Sequence, residues 1–340
     1  MRNLHYWIWL TTLLVLFLKP DRSSAQDIHY AQYFNSPMNI NPALIGIFNG
    51  DLRAAGNYRN QWNAANVSYN TFTGGLDMKM PRLNFGSGYV AGGGLINYDY
   101  AGDSRLSNFQ VMVGGSYTQQ LAERHFVSFG TQVGMGGRSF RTDDLRWEDQ
   151  YDVNNPTRPN DPTLEEFNNT SYSYFDLNAG LNYHFQIPEK RTKMDVGVGF
   201  FHLNRPEYGF DDQFEDKFLR TSVHALLDFQ VMEKLDLVLN GVFQDEGPHQ
   251  EVVFGISARH HLSLKPAREL SLLLGANYRL DDAIYPHFQI NWRNLSLGLS
   301  YDINISDFRD ASDGRGGPEI YFQYLFTKVR PSELKICPIY

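Results

Sequence analysis

The chain has 340 residues and a formal net charge of -8, with a mean hydropathy of -0.41. The negative balance excludes nucleic acid as the partner, and the single cysteine, Cys337, excludes a disulfide framework within one chain. Aromatic residues make up 14%, beside 29 Gly; that mixture suits a barrel wall, and a secreted β-sandwich would share part of it.

In chain order, the first element is an export signal, residues 1–25. Arg2 supplies positive charge, Tyr6 to Leu18 are apolar apart from Thr11 and Thr12, and Ser23-Ser24-Ala25 offers small residues for cleavage. The mature chain is expected to begin near Gln26. The apolar run is too short for a spanning helix, and no long apolar stretch comes after Leu18. Residues 26–50, with Asn41-Pro42, are expected to be an irregular periplasmic segment packed in or under the periplasmic mouth of a barrel.

From Asp51 to Phe326 the chain reads as short β segments separated by turns. Asp176, Asn178, Asn182 and His184 interleave with Phe175, Leu177, Leu181, Tyr183 and Phe185. Leu235, Leu237, Leu239 and Phe243 alternate with Asp236, Asn240 and Gln244, and Phe72, Leu76, Met78 and Met80 with Thr71, Thr73, Asp77 and Lys79. Successive strand residues point to opposite faces, so each segment has one apolar face and one polar or small face. In a membrane barrel the apolar faces meet lipid and the polar faces a wet lumen. The segments approach the roughly 9–11 residues that a tilted membrane strand needs. The polar side carries Asp, Asn, Gln, Ser and Gly rather than the Lys and Glu of a soluble surface.

The pattern predicts an all-β transmembrane outer-membrane barrel of about fourteen antiparallel strands. They begin near Asp51, Val67, Phe85, Leu106, Arg124, Ser171, Met194, Lys217, Leu235, Val252, Leu270, Ile284, Asn294 and Gly317. The connections after every second strand are short and all but Leu121-Ala122-Glu123 carry Lys or Arg, as in Met232-Glu233-Lys234 and Arg293-Asn294. The others, including Arg138 to Thr170, Asn204 to Asp216, Asp245 to Glu251 and Ile305 to Gly316, are expected to be generally longer, acidic outer loops. The final strand alternates and ends at Phe326, leaving residues 327–340 as a periplasmic tail.

No constellation points to chemistry. Gly92-Gly93-Gly94 lacks the helix that a phosphate loop needs directly after it. His260-His261 are adjacent strand residues and face opposite ways. The acidic pairs Asp143-Asp144, Glu148-Asp149, Asp211-Asp212 and Asp281-Asp282 have no EF-hand spacing and read as solvated loops. No motif links Ser, His and an orienting residue for hydrolysis, and Cys337 has no visible activator. No catalytic residue, cofactor or metal site is assigned.

Several short motifs occur in order: Gln26-Asp27-Ile28-His29-Tyr30-Ala31-Gln32-Tyr33-Phe34, Asn41-Pro42-Ala43, Asn57-Tyr58-Arg59-Asn60-Gln61-Trp62, Asp99-Tyr100-Ala101-Gly102, Asp144-Leu145-Arg146-Trp147-Glu148-Asp149-Gln150, His224-Ala225, Tyr301-Asp302, Gly317-Pro318-Glu319-Ile320 and Cys337-Pro338. In this order they resemble the PorP/SprF family of outer-membrane proteins of the type IX secretion and gliding motility system. Gly317-Pro318 departs from the common Gly-Ser-His, and Ile28-His29 from Pro-His. The resemblance implies a non-enzymatic barrel supporting secretion or surface attachment of a partner, a secreted surface protein or adhesin with a C-terminal sorting domain. It also implies contact with the type IX translocon, with periplasmic ring or peptidoglycan-linked components, and with outer-membrane lipid. Asn57, Tyr58, Arg59, Gln61 and Trp62, near the first outer loop, are the expected partner contacts. The alternative is a passive channel or small-solute transporter barrel.

Overall fold

The computed structural model describes residues 30–61, 68–80, 83, 86–142, 145, 147, 150, 165, 167, 169–210, 214–265, 267–307 and 309–327. The predicted export signal, Trp62 and Cys337 lie outside the described residues, as do the acidic pairs at 143–144, 148–149 and 211–212.

The strands are β1 (Leu52–Gln61), β2 (Tyr69–Met80), β3 (Gly88–Ala101), β4 (Leu106–Ala122), β5 (His125–Ser139), β6 (Ser171–Gln186), β7 (Lys193–Phe201), β8 (Glu207–Tyr208), β9 (Glu215–Asp216), β10 (Arg220–Met232), β11 (Leu235–Glu246), β12 (His249–Ser263), β13 (Leu270–Arg279), β14 (Ala283–Trp292), β15 (Leu295–Asn304) and β16 (Arg315–Phe326). β8 and β9 form a separate small ribbon; the other fourteen close into one antiparallel barrel, each paired with its neighbours in sequence. β1 closes on β16 from Leu52 opposite Phe326 to Arg59 opposite Glu319. An even count brings both ends of the barrel chain to one rim. Closure leaves no unpaired sheet edge to meet lipid.

The wall is inside-out relative to a soluble protein. Buried positions include Thr118, Ser128, Asp176, Ser222 and Asp236, while Leu76, Val113, Met135, Phe175, Leu181, Ile256, Leu274 and Ile320 are exposed. Every wall strand except β11 carries at least one exposed large apolar side chain, with Val196 on β7 and Val223, Phe229, Val231 and Met232 on β10 continuing the band up to it. A continuous apolar surface of this extent is tolerated only against acyl chains. Leu274, in the middle of β13, is 67% exposed. Leu274→Arg is therefore expected to cost about 2–4 kcal/mol, read as a lower temperature for loss of the compact band on unboiled gels; an unchanged temperature would place this face in water.

Two expectations change. Asp245 to Glu251 is not a long loop: β11 runs to Glu246 and β12 starts at His249, with Glu246 opposite His249. Only Gly247 and Pro248 turn the chain, and Gly247 takes φ +60, with no room for a Cβ beside the Phe218 ring. The turn residues looked like a loop because strands that project past the membrane no longer need an apolar face. The lumen, expected to be wet, is filled by the chain's own N-terminal residues.

Candidate functional site: a lumenal plug and its latch

Residues 30–50 form three short helical turns, Tyr33–Asn35, Pro37–Ile40 and Pro42–Leu44. Pro37 and Pro42 stand at first helical positions, where their missing N–H is harmless. Asn41 caps the third turn by accepting from the Ala43 N–H at 2.8 Å. The segment runs down the lumen. At its start the Tyr30 hydroxyl meets Thr73 Oγ1 at 2.7 Å; near the rim that holds the barrel's two chain ends Lys79 Nζ donates to the Phe48 carbonyl at 2.6 Å.

Apolar side chains seat the segment on both sides. Met38 and Ile45 pack with Tyr89, Leu95, Met112 and Phe126. Tyr33, Ile40 and Leu44 pack with Val242 and Val253. These wall residues interrupt the polar lumenal face only where the segment lies on it. Burial pushes the Tyr30 and Tyr33 phenols well above their ordinary range. Tyr33 donates to Asn240 Oδ1 at 2.7 Å.

Charged and polar wall groups then take up the backbone of the segment. Glu319 accepts from the Ala31 N–H at 2.7 Å and the Gln32 N–H at 3.0 Å, while Asn277 Nδ2 donates to the Ala31 carbonyl at 2.8 Å. Arg59 lies between two carboxylates, 2.7 Å from Asp302 and 4.0 Å from Glu319, and Gln61 also donates to Asp302 at 3.0 Å. Near the rim that holds the chain ends Asp77 holds Arg53 in a two-pronged pair, both bonds 2.8 Å, and accepts from the Gly46 N–H at 2.8 Å. Such charge-assisted bonds are strong when water is excluded. Further bonds reach the segment from Asn97, Ser116 and Gln132. The Asn41 side chain donates to the Leu181 carbonyl at 2.8 Å.

Glycines clear the wall where Asn41-Pro42 approaches it. A Cβ on Gly180 would collide with the Asn41 side chain, one on Gly199 with the Ile40 carbonyl, and one on Gly130 with the Pro42 carbonyl. Gly180→Ala is expected to cost about 1–3 kcal/mol through overpacking and to make residues 30–50 more sensitive to protease. Gly241→Ala, whose Cβ would meet only the Val253 carbonyl at 3.9 Å, is the neutral control; equal behaviour of the two variants would refute the niche.

Of the residues expected to touch a partner, Asn57, Arg59 and Gln61 are buried in the lumen, and Tyr58 is exposed on the outer surface with its hydroxyl donating to Asn70 at 2.9 Å. The structure brings Arg59 and Gln61 together on Asp302. Sequence reasoning missed Glu319, Asp302 and Asp77 as latch groups. Their signal was present: each is an acidic residue on the polar side of a lipid-facing strand, where it needs a partner inside. The Gly92-Gly93-Gly94 run lies within β3, where Gly93 leaves room for the Asp77 side chain. His261 turns inward to Asp236 at 2.6 Å, while His260 points outward. Among the described residues no three His, Cys, Asp or Glu side chains converge as metal ligands.

The dispersed sequence motifs thus meet in space. Tyr30-Ala31-Gln32, Arg59, Asp302 and Glu319 form one cluster, and Asn41 docks on the opposite wall. Several solved barrels share the general shape. The translocator domain of autotransporter NalP from Neisseria meningitidis is 9% identical, with 87% of this chain and 96% of that one aligned and a TM-score of 0.41. The CymD monoaromatic hydrocarbon channel is 9% identical, with 86% and 93% aligned and a TM-score of 0.47. A Pseudomonas aeruginosa FadL homologue is 10% identical, with 86% and 94% aligned and a TM-score of 0.41. These likenesses are too slight to carry an argument. No curated protein matches the chain in sequence. The model of the family described as type IX secretion system membrane protein PorP/SprF matches residues 22–324, and the chain belongs to that family of membrane proteins.

Proposed function

We propose that this outer-membrane barrel is a non-enzymatic, self-sealed anchor of the type IX secretion system. It supports secretion or surface attachment of one partner, a surface protein or adhesin with a C-terminal sorting domain, in the service of gliding motility or a related surface task. It couples that partner to the translocon and to periplasmic ring or peptidoglycan-linked components. Residues 1–25 act as the export signal, 26–50 belong to the periplasmic-side segment that enters the barrel of 51–326, and 327–340 form a periplasmic tail. The run Asn57 to Trp62 presents the first outer loop to the partner, with lumenal Arg59 and Gln61 fixing the strand end from which that loop departs.

The observation that carries this reading is the filled lumen. Small barrels of about 8 strands are filled by their own side chains, and barrels of about 16 strands leave an aqueous channel. A fourteen-stranded wall needs something inside to be closed, and residues 30–50 supply it. That speaks for a platform over a passive channel or small-solute transporter. The test is a deletion strain. Bulk type IX secretion should continue while one surface protein appears in the medium; retention of all cargo in the periplasm would make the protein core machinery instead. Pull-down from detergent-solubilised membranes should recover that one large protein.

A further inference from the structure

β14 is joined unequally to its two neighbours. On one edge it pairs with β13 without a break, from Leu270–Trp292 to Arg279–Ala283. On the other, the register with β15 runs from Trp292–Leu295 to His287–Ser300, skips two positions and resumes at Ile284–Ile303. Pro286 is the cause. The Ile305 N–H donates to the Asp282 carbonyl at 2.8 Å, and bonded pairs of antiparallel strands recur at every second residue. Ile284–Ile303, Pro286–Tyr301 and Phe288–Leu299 are therefore the bonding positions, and Pro286 has no N–H to offer the Tyr301 carbonyl. Pro286 and Tyr301 are exposed, between the exposed apolar pairs Ile284–Ile303 and Phe288–Leu299. The missing ladder bond thus lies within the lipid-facing band, where an unmade main-chain bond is costly.

The lumenal side of the same seam is incomplete too. Tyr285 and His287 of β14 stand beside Asp302 and Ser300 of β15, and all four are buried. Each has a polar atom without a hydrogen-bond partner among the described residues: the Tyr285 hydroxyl, His287 Nδ1, Ser300 Oγ and Asp302 Oδ1. His287 is held in place by its other nitrogen, 2.8 Å from Ser257 Oγ, and Asp302 by its other oxygen, which takes Arg59 and Gln61. The plug's first turn lies against this patch. The Phe34 and His287 rings meet at 5.8 Å, and Gln32, whose Nε2 is also buried without a partner, sits over Gly298. Interiors leave few such groups. Here they gather behind a proline on a single seam, and water entering between the strands would relieve them together. Costs concentrated in this way are characteristic of elements that move. Further from the chain ends, Ile305 and Ser306 both donate to the Asp282 carbonyl, at 2.8 and 3.1 Å. That tie makes the seam a slit that parts below it, not an edge that frays from the rim.

We propose that the β14–β15 seam is a built-in lateral opening: the strands part at Pro286–Tyr301 and admit water through the wall to the plug's first turn. Because Asp302 also holds Arg59 and Gln61, parting loosens the latch beside the plug's start.

Hydrogen exchange of the full-length protein in detergent, resolved to single amides, reads the seam directly. The amides of Leu299 and Ile303, which face β14, should exchange at least tenfold faster than those of Leu273 and Gly275, which bond the opposite edge of that strand. Pro286→Ala restores the donor and should remove most of the difference. Leu325 donates to the Asn294 carbonyl, so even-numbered residues of β16 face β1. Pro318→Ala therefore adds an N–H toward β1 and should leave the difference in place. His287 and Ser300 are direct cross-strand partners, within reach of a disulfide. The double variant His287→Cys, Ser300→Cys, oxidised in a Cys337→Ser background, should be cut within residues 30–50 at least tenfold more slowly than its own reduced form, with unboiled-gel mobility reporting an intact barrel. Equal exchange on the two edges of β14, a difference that survives Pro286→Ala, its loss in Pro318→Ala, or cleavage indifferent to the cross-link would each overturn the proposal.

Discussion

Deleting residues 30–50 while keeping the export signal and Asp51 onward is expected to convert a silent barrel into a conducting one. In planar bilayers the intact protein should show no stable open level, and the deleted form should show discrete, long-lived steps. The reason lies in the wall itself. Its lumenal face carries Arg53, Arg59, Asp77, Asp302 and Glu319, and these become groups lining a wet channel once the plug is gone. The barrel should survive because its pairing, from Leu52–Phe326 at the seam round to Gln61–Tyr69, involves no residue before Asp51 except at the rim. Heat-modifiable mobility checks that. Steps of equal size in both forms would mean that the segment does not seal the pore.

The second large effect is expected at Glu319. Glu319→Ala would leave the Ala31 and Gln32 N–H groups unpaired and remove one of the two carboxylates beside Arg59. Breaking one side of a buried charged network costs about 3–5 kcal/mol, and each buried unmade hydrogen bond adds to the loss. The expected result is early release of the plug, seen as cleavage within residues 30–50 by a periplasmically added protease at concentrations that spare the intact protein. Glu319→Gln, which keeps one acceptor oxygen, should fall between the two. Protease resistance equal to that of the unaltered protein would remove Glu319 from the latch.

The wall was legible because its physics is local. Period-two alternation from Phe72 to Met80, or from Phe175 to Phe185, states which side chains meet lipid, and the exposures agree: Phe72, Leu76, Phe175 and Leu181 face out, whereas Thr73, Asp77, Asp176 and Asn182 are buried. Starts such as Leu106, Ser171, Leu235 and Leu270 coincide with the observed strands. The turn at Gly247-Pro248 was misjudged because the residues around it, Asp245 to Glu251, are polar on both faces; above the membrane nothing requires an apolar side. The plug was harder still. Tyr33, Ile40 and Leu44 stand at helix-like spacing, but Pro37 and Pro42 divide the segment into short separate turns, and their partners Val242 and Val253 lie about 200 residues away in sequence. Arg59 stood out as a motif residue, but only the closed barrel brings Asp302 and Glu319 to it.

The most direct measurement of the central claim is chemical access to Ala43, which is fully buried where the plug meets Gly130. In a Cys337→Ser background, Ala43→Cys should resist a membrane-impermeant maleimide added from either side of isolated outer membranes, and react only after denaturation. Arg293→Cys, in an exposed periplasmic turn, should react at once. Labelling of the two sites at the same rate in native membranes would contradict a barrel sealed by its own first residues.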